Sequence, residues 1–275
     1  MTIVRSVDNS SFRVERPPQE NRIRLLAEVL LTHPIVAGRA IIAELLGRTT
    51  FRLNGRKFHI GPGRPRYVLP IYSDVSRHLA AIRSQIDPTT VSSILDCGAH
   101  IGTFSVLAHR IFNAAKIVAI EANPTNYDVC VKNTIGLPID VRHVAIGARE
   151  GTTAFYLRPN EFDQGGTMNP AYSTDEQIPV DVHTTTFRAL IDELKHVDVA
   201  KVDIEGAELD VLSELCDLST RIKLLDLELH YMNNNVMRAS SDLALIDSVF
   251  ETVRQDLYTD GLERYWVSLL LRSRR

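Results

Sequence analysis

The segment Asp96-Cys97-Gly98-Ala99-His100-Ile101-Gly102 lies where a predicted strand, Ser93–Cys97, gives way to a predicted helix, Gly102–Asn113. Open α/β sheets bind nucleotides at such strand-to-helix junctions. Gly98 allows the backbone to turn sharply and to approach a ligand, and Gly102 allows tight packing where the helix starts. The segment therefore predicts a ligand-binding turn, with a tight turn that holds no ligand as the alternative.

The rest of the chain repeats this alternation of strand and helix, which is typical of a parallel sheet wound with helices. A hairpin-like insertion around Gly151–Leu157 interrupts the series. Two final strands, Asp256–Thr259 and Tyr265–Leu271, are too close in sequence for a crossover helix, so we expect them to pair antiparallel. The sequence predicts an α/β, Rossmann-like, mostly parallel sheet with an antiparallel terminal hairpin. The other predicted elements are the strands Lys116–Glu121, Asp140–Ile146, Val197–Ile204 and Leu224–Leu229 and the helices Pro124–Ile135, Thr186–Leu194 and Ala207–Leu215.

The N-terminal part of the chain has a different pattern. Apolar residues at helical spacing predict a helix over Ile23–Leu31, which Pro34 ends, and a second helix over Ile35–Leu46. Asn54-Gly55 between the short segments Thr50–Leu53 and Arg56–Ile60 predicts a two-residue hairpin turn.

These patterns divide the chain into two parts. Residues 1–67 form an N-terminal helical and β-hairpin appendage, and residues 68–275 form the main domain, which a helix over Asp74–Ile86 opens. We expect the appendage to pack against the main domain or against a second copy, so a homodimer through the N-terminal helices is one option. The alternative is that the appendage acts at a membrane surface or carries a substrate.

Composition and charge limit the class of protein. The 275 residues are 44% hydrophobic and 24% charged, as in ordinary globular proteins. A formal net charge of −3 supplies no general attraction for nucleic acid, so no nucleic-acid partner is expected. Three widely spaced cysteines support neither a disulfide framework nor a metal-binding pair. Because no apolar segment resembles an export signal or a membrane span, we expect a cytoplasmic protein.

An acidic residue completes the cofactor pattern. Glu121 ends the second predicted strand 19 residues after Gly102, and a carboxylate about 20 residues on suits a ribose diol. In the Gly-x-Gly-x-x-Gly frame of NAD sites, His100 would stand at the second glycine and obstruct the pyrophosphate. A cofactor without phosphate suits the loop better, which favours S-adenosylmethionine. Its positive sulfonium gives the carboxylate of Asp96 an electrostatic role near the loop.

Three motifs, taken in order, resemble a known family. Asp96-x-Gly-Ala-His-Ile-Gly, Glu121-Ala-Asn-Pro and Lys201-Val-Asp-Ile-Glu-Gly-Ala-Glu208 are similar to motifs of S-adenosylmethionine-dependent methyltransferases of the FkbM type, over about Val91–His230. The resemblance implies the class I methyltransferase fold, a seven-stranded sheet with an antiparallel last strand. It also implies methyl transfer to a hydroxyl of a small molecule, sugar or glycan.

The chain departs from the family pattern at two places. The family loop usually carries Asn where this chain has His100, and Thr186-Phe187-Arg188 replaces a Thr-Leu-Asp segment. The cofactor frame is kept. The residues expected to contact the cofactor are Asp96, Gly98, Ala99, His100, Gly102, Thr103, Glu121, Ala122, Asn123 and Ala145.

We expect the chemistry to be carried by Asp203, Glu205 and His230, which follow or end predicted strands near the cofactor. Methyl transfer needs alignment, and an alcohol acceptor must lose its proton to a base. As an alternative, Glu205 and Glu208 stabilise the start of the next helix, where carboxylates are favoured. A divalent metal on Asp203, Glu228 and His230 is chemically feasible, but no spacing enforces it, so no metal is expected.

Two rival functions stay open at this point. An NAD-linked oxidoreductase would use the same strand-to-helix turn, although His100 disfavours it. A catalytically silent nucleotide-binding module would keep Gly98 and Glu121 but would not require Asp203. Product formation separates the three functions.

Overall fold

The structure is a computed structural model that describes residues 30–61, 68–113, 115–157, 166–170, 177–232, 236–259 and 264–274. Its helices and strands alternate over most of this length. In chain order they are α1 (Pro34–Leu45), β1 (Thr50–Leu53), β2 (Arg56–His59), α2 (Val68–Arg83), β3 (Ser93–Cys97), α3 (Thr103–Ile111), β4 (Lys116–Glu121), α4 (Pro124–Thr134), β5 (Ile139–His143), β6 (Ala145–Ile146), β7 (Gly151–Leu157), β8 (Ile178–Thr185), α5 (Phe187–Leu194), β9 (Val197–Val202), α6 (Glu208–Asp217), β10 (Ile222–Met232), α7 (Val236–Val249), β11 (Phe250–Thr259) and β12 (Arg264–Ser273).

Seven strands form one sheet in the order β11-β12-β10-β9-β3-β4-β5. The five strands from β10 to β5 pair in parallel. β12 lies between β10 and β11 and is antiparallel to both. This order confirms the predicted Rossmann-like sheet of seven mostly parallel strands with an antiparallel terminal hairpin.

Helices cover both faces of the sheet because successive side chains of a strand point to opposite faces. On one face, Ile94 of β3 joins a core cluster with apolar residues of α2, α3 and α4. On the other face, Leu95 joins a cluster with residues of α5, α6 and α7. All five residues of β3 are buried, as a strand covered on both faces requires.

A smaller sheet differs from the sequence-based prediction. The predicted strand Asp140–Ile146 is interrupted after His143, because Ala145–Ile146 leaves the main sheet and pairs with β8. β8 itself was not predicted, since Pro179 interrupts an otherwise alternating apolar pattern. Pro179 is tolerated because it lies beyond the two-residue pairing with β6 and faces only β7.

Two helices also differ from the prediction. α2 begins at Val68, six residues before the predicted Asp74, because Pro70 lies in the first turn, where a missing N–H costs nothing. α7 was not predicted. The earlier start of α2 extends the helix that flanks the cavity described below.

The appendage packs onto the main domain. Its hairpin turns at Asn54-Gly55 with positive φ at both residues, as predicted, and Asn133 of α4 bonds to both backbone groups of His59. The division at residues 67 and 68 stays a prediction. Most of the predicted helix Ile23–Leu31 lies outside the described residues.

The outer face of α1 exposes apolar side chains, among them Ile35, Ile42 and Leu45. A homodimer through this region remains a prediction. Within the described residues, none of the helices combines the length and the apolar character needed to cross a membrane.

Candidate functional site

A cavity of about 570 Å³ opens at the end of the sheet where β3, β4, β9 and β10 finish. Parallel strands bring their carboxyl ends to one edge, so the loops that follow them meet there. α2 and the terminal hairpin close the opposite side. The polar residues on the wall that matter for the chemistry are Asp74, His78, His100, Thr103, Glu121, Asn123, Lys201, Asp203, Glu205, Asp226, Glu228 and His230.

Gly98 makes the first turn after β3. Its φ is +78°, a left-handed conformation that favours glycine. A Cβ at Gly98 would lie 1.8 Å from the carbonyl oxygen of Asp203. The close backbone approach expected of this glycine is therefore made to the loop after β9, within the protein itself.

Glu121 holds the glycine loop through backbone contacts. Its Oε2 accepts a hydrogen bond of 2.6 Å from the His100 N–H, and its Oε1 accepts one of 2.8 Å from the Asn123 N–H. Burial raises the pKa of Glu121 to about 7, although both N–H donors favour the charged form. The carboxylate lies on the cavity wall while it fixes the backbone of His100, whose φ is 52°.

The start of α3 supplies a tight contact and a polar group. A Cβ at Gly102 would come within 2.9 Å of Cys130 Sγ, which confirms that this glycine permits close packing at the helix start. Thr103, the first residue of α3, lines the cavity. Its buried Oγ1 has no hydrogen-bond partner among the described residues. Buried hydroxyls are normally satisfied, so this oxygen is an exception in the described part of the chain.

Most residues predicted to contact a cofactor lie on the cavity wall, and two do not. Asp96 is fully buried beneath the loop, where it accepts a 2.6 Å hydrogen bond from Ser105 Oγ, and burial raises its pKa. Gly102 packs against α4. Those on the wall are Gly98, Ala99, His100, Thr103, Glu121, Ala122, Asn123 and Ala145.

Lys201 links the loops after β3 and β9, a role that the sequence analysis missed. Its Nζ donates to the Gly98 carbonyl at 2.8 Å and lies 3.3 Å from Asp203 Oδ2 and 3.9 Å from Asp96 Oδ1. Burial lowers the pKa of Lys201, but the neighbouring carboxylates outweigh burial and hold it above its usual value. The feature of the sequence that could have indicated this role is a lysine within the apolar strand β9.

His230 projects from β10 into the same cavity. Its Nδ1 lies 3.1 Å from Glu208 Oε1, and its Nε2 lies 3.9 Å from Asp203 Oδ1 and 3.8 Å from Glu228 Oε2. Burial lowers the pKa of His230, but Glu208 and the other carboxylates raise it well above its usual value. Asp203 and His230, predicted to act together, are brought together.

Glu208 has a structural role, but in the loop before the helix and not as the solvated carboxylate at the helix start that was considered for it. Its carboxylate accepts hydrogen bonds from the Ile204 and Gly206 N–H groups at 2.6 and 2.8 Å, which orders the loop before α6. The same carboxylate faces His230. Glu205 lies on the cavity wall with a φ of 56°, and its carbonyl accepts a 2.7 Å hydrogen bond from Thr167 Oγ1.

A second imidazole, which sequence reasoning missed, enters from α2. His78 Nδ1 lies 2.8 Å from Asp226 Oδ2, and its Nε2 lies 3.8 Å from Asp74 Oδ2 and 3.9 Å from Glu228 Oε1. Burial lowers the pKa of His78, but Asp226 outweighs burial and raises it to about 9. Glu228 thus faces one histidine with each oxygen.

Aromatic rings complete the wall beside the histidines. The rings of Tyr258 and Trp266 stack with centroids 5.5 Å apart and planes 16° from parallel. Trp266 also lies nearly parallel to His230, at 6.4 Å and 24°. Both aromatic residues come from the terminal hairpin and line the cavity.

The cavity thus joins a glycine turn, a strand-end carboxylate and a group of histidines and acids. A family model described as the methyltransferase FkbM domain matches residues 96–254. This match covers more than half of the chain. The chain belongs to the FkbM methyltransferase family.

Relatives of the FkbM domain have low sequence identity to this chain. Methyltransferase 1 of Beauveria bassiana is 26% identical over 46% of this chain and 59% of its own length. The hexuronic acid methyltransferase AglP of Haloferax volcanii is 24% identical over 49% of this chain and 54% of its own length. The chain spans a little over half the length of each. Among solved structures, the N-terminal domain of human METTL16 with SAH aligns over 95% of this chain and 100% of its own at 13% identity and a TM-score of 0.44.

The FkbM match includes one side of the cavity and leaves out part of the other. Glu121, Asp203 and His230 fall within residues 96–254, whereas His78 precedes that range and Trp266 follows it. The family match therefore covers the wall that carries the three sequence motifs. The histidine of α2 and the aromatic pair belong to the other side of the cavity, which the match covers only in part.

Proposed function

We propose that the protein is an S-adenosylmethionine-dependent O-methyltransferase that acts on a hydroxyl of a small molecule, sugar or glycan. One observation carries the proposal: the glycine turn with Glu121 and the group around His230 line the same cavity. An FkbM domain with a cofactor wall and a proton-accepting wall in one cavity suits methyl transfer to an acceptor that must lose a proton.

The residues on the cofactor wall fit S-adenosylmethionine better than NAD. Glu121 and Thr103 both line this wall, and a carboxylate such as that of Glu121 suits ribose hydroxyls. Burial lowers the pKa of His100 to about 4, so its imidazole is neutral at physiological pH and adds no charge for a pyrophosphate. The basic side chain that reaches the loop, Lys201, already binds the Gly98 carbonyl. When bound, the cofactor would supply an electrophilic methyl group.

On the acceptor wall, His230 in its neutral form is the proposed base; because the neighbouring carboxylates raise its pKa well above the usual value, the share of this form grows as the pH rises. Its Nδ1 lies 3.1 Å from Glu208 Oε1, and its Nε2 faces Asp203 and Glu228 at 3.9 and 3.8 Å. The acceptor O–H bond breaks, its proton passes to Nε2, and the electron pair stays on the oxygen. Asp203 would accept a hydrogen bond from the hydroxyl and orient it. Glu205 would line the edge of the same wall.

A neutral polyol suits the acceptor side. Carboxylates such as Asp203 and Glu228 accept hydrogen bonds from hydroxyls, and the Trp266–Tyr258 stack offers an apolar face to a sugar ring. The hexuronic acid named for AglP supports a sugar acceptor.

The cysteines bear on the compartment. All three are buried and unpaired. Free thiols persist in a reducing environment, which supports the proposed cytoplasmic location.

Calorimetry and product analysis test the proposal. We expect S-adenosylhomocysteine to bind and NAD not to bind, and Glu121→Ala to weaken the binding by about 1 to 3 kcal/mol. Incubation with methyl-labelled cofactor and a panel of sugars and glycans should then give a labelled methyl ether. Tight NAD binding without a response to S-adenosylhomocysteine would favour the oxidoreductase, and binding without any product from any acceptor would favour the silent module.

A further inference from the structure

We propose that Asp74, His78 and Glu228 form a binding site for one divalent first-row transition-metal cation such as Mn²⁺. The ligand atoms of these three residues lie within 4.8 Å of one another on the cavity wall. The site joins α2 to β10, and its α2 residues lie outside the range of the family match. Cation binding at this site does not depend on the proposed function. The role of the cation in activating the acceptor does depend on it.

The imidazole of His78 is prepared as a ligand. The residue is only 8% exposed, and Asp226 holds Nδ1 at 2.8 and 3.0 Å. A carboxylate on one ring nitrogen fixes the orientation in which the other nitrogen, once it has lost its proton, can bind a metal. Asp226 is thus the acid that holds a histidine ligand in position.

The Nε2 atom of His78 faces two carboxylates without bonding to them. It lies 3.8 Å from Asp74 Oδ2 and 3.9 Å from Glu228 Oε1, both beyond hydrogen-bond length. No hydrogen bond to Nε2 occurs among the described residues. Two ligands about 2.1 Å from a shared ion lie roughly 3 to 4 Å apart, so these separations suit atoms that share a cation.

The surroundings favour positive charge and leave access. Asp74 is held from outside by Arg77, whose Nη2 lies 2.7 Å from Oδ1, which leaves Oδ2 toward His78. Asp226 and Glu228 add two further carboxylates, and Asp74, with 45% of its side chain exposed, lies at the open rim. One nitrogen and two oxygens form a mixed ligand set that suits Mn²⁺, Fe²⁺ or Zn²⁺.

A cation here would connect to the proposed chemistry through Glu228. Glu228 presents Oε1 to His78 and Oε2 to His230. A cation that takes the acceptor hydroxyl as a further ligand lowers the pKa of that hydroxyl. The O–H bond would then break, with its proton going to Nε2 of the neutral form of His230 and its electron pair remaining on the acceptor oxygen.

Manganese titration tests the site directly. Full-length protein is treated with a chelator, dialysed and titrated with MnCl₂, and free Mn²⁺ is counted from its electron paramagnetic resonance signal. We expect one Mn²⁺ per chain. Asp226→Asn should weaken Mn²⁺ binding about 10- to 100-fold, and His78→Gln and Asp74→Asn should weaken it at least as much. His183→Ala, which removes an exposed imidazole away from the cavity wall, should not change it.

Two further measurements make the result decisive. S-adenosylhomocysteine affinity and thermal unfolding of each variant report on folding and on the cofactor wall, so Asp74→Asn, at the exposed rim, serves if a core variant fails to fold. The inference is overturned if the wild-type protein binds no Mn²⁺ at millimolar concentration, or if folded His78→Gln and Asp74→Asn bind it as well as the wild type does. Mn²⁺ binding without methyl transfer would refute only the proposed function.

Discussion

The carbonyl oxygen of Asp203 occupies the space that a side chain on Gly98 would need, since a Cβ atom there would lie 1.8 Å from that oxygen. The two loops that follow β3 and β9 are therefore in backbone contact on the cavity wall. This contact fixes the glycine turn relative to Asp203. A change at Gly98 acts on both walls at once.

Gly98→Ala should lower the free energy of unfolding by about 2 to 5 kcal/mol, because a left-handed φ and a backbone clash add together. Gly136→Ala is the matched control: its φ is +73°, but no atom lies within 4 Å of its Cβ position. We expect that control to lose only about 1 to 2 kcal/mol. Urea unfolding of both variants measures the difference, and equal losses would contradict the contact.

Glu121 should make stability depend on pH. Its pKa is raised from 4.5 to about 7 by burial, so between these values the folded protein holds a proton that the unfolded chain has lost. The contribution to stability is present below pH 4.5 and is lost as the pH rises to about 7, on the order of 3 kcal/mol. Glu121→Gln should remove this slope. Unfolding free energies of both proteins across the range test it, and parallel curves would refute the raised pKa.

Asp203→Asn and His230→Ala should separate orientation from proton transfer. If both residues act on the acceptor, each variant should bind S-adenosylhomocysteine within a few-fold of the wild type and lose about 10²- to 10⁴-fold in turnover. Single-turnover assays with a labelled methyl group measure the loss. Normal turnover of Asp203→Asn with an inactive His230→Ala would leave Asp203 a structural residue.

Lys201→Met should destabilise the fold by about 3 to 5 kcal/mol, because it leaves the buried carboxylate of Asp96 without a cation. Adding Asp96→Asn should restore at least about 1 kcal/mol. Lys116→Met is the control, since Lys116 is exposed and lies 3.8 Å from an exposed Glu193; it should change stability by less than about 0.5 kcal/mol. Chemical denaturation compares the three, and an equal loss in both single variants would contradict the buried role.

Local pattern was enough to predict one wall of the cavity. Gly98, Gly102 and Glu121 lie within 24 residues of one another, and glycine at a turn or a carboxylate at a strand end has a direct physical reason. Asp203 and His230 were predicted to meet because parallel strands end at one edge. β8 was missed because Pro179 weakened the pattern of a strand that its partners nevertheless accept.

The other wall depends on contacts that no local pattern records. His78 meets Asp226 across 148 residues of sequence, and Trp266 reaches the cavity only because β12 inserts beside β10. A histidine on an amphipathic helix shows no sign of a function in the sequence until the position of that helix in the fold is known. Lys201 was visible within an apolar strand, but its partner, the Gly98 carbonyl, is a backbone atom that sequence does not mark.

The position of β12 has a consequence for synthesis on the ribosome. β10 pairs with β9 on one edge and with β12 on the other, so that second edge stays open until residues 264–273 have left the ribosome. An open edge of apolar strand invites pairing with other chains. A nascent chain would thus carry the complete glycine turn before Trp266, on the aromatic side of the cavity, has been synthesised. A stop codon shortly before Arg264 would release a protein prone to aggregate, and not merely one with a weaker acceptor side.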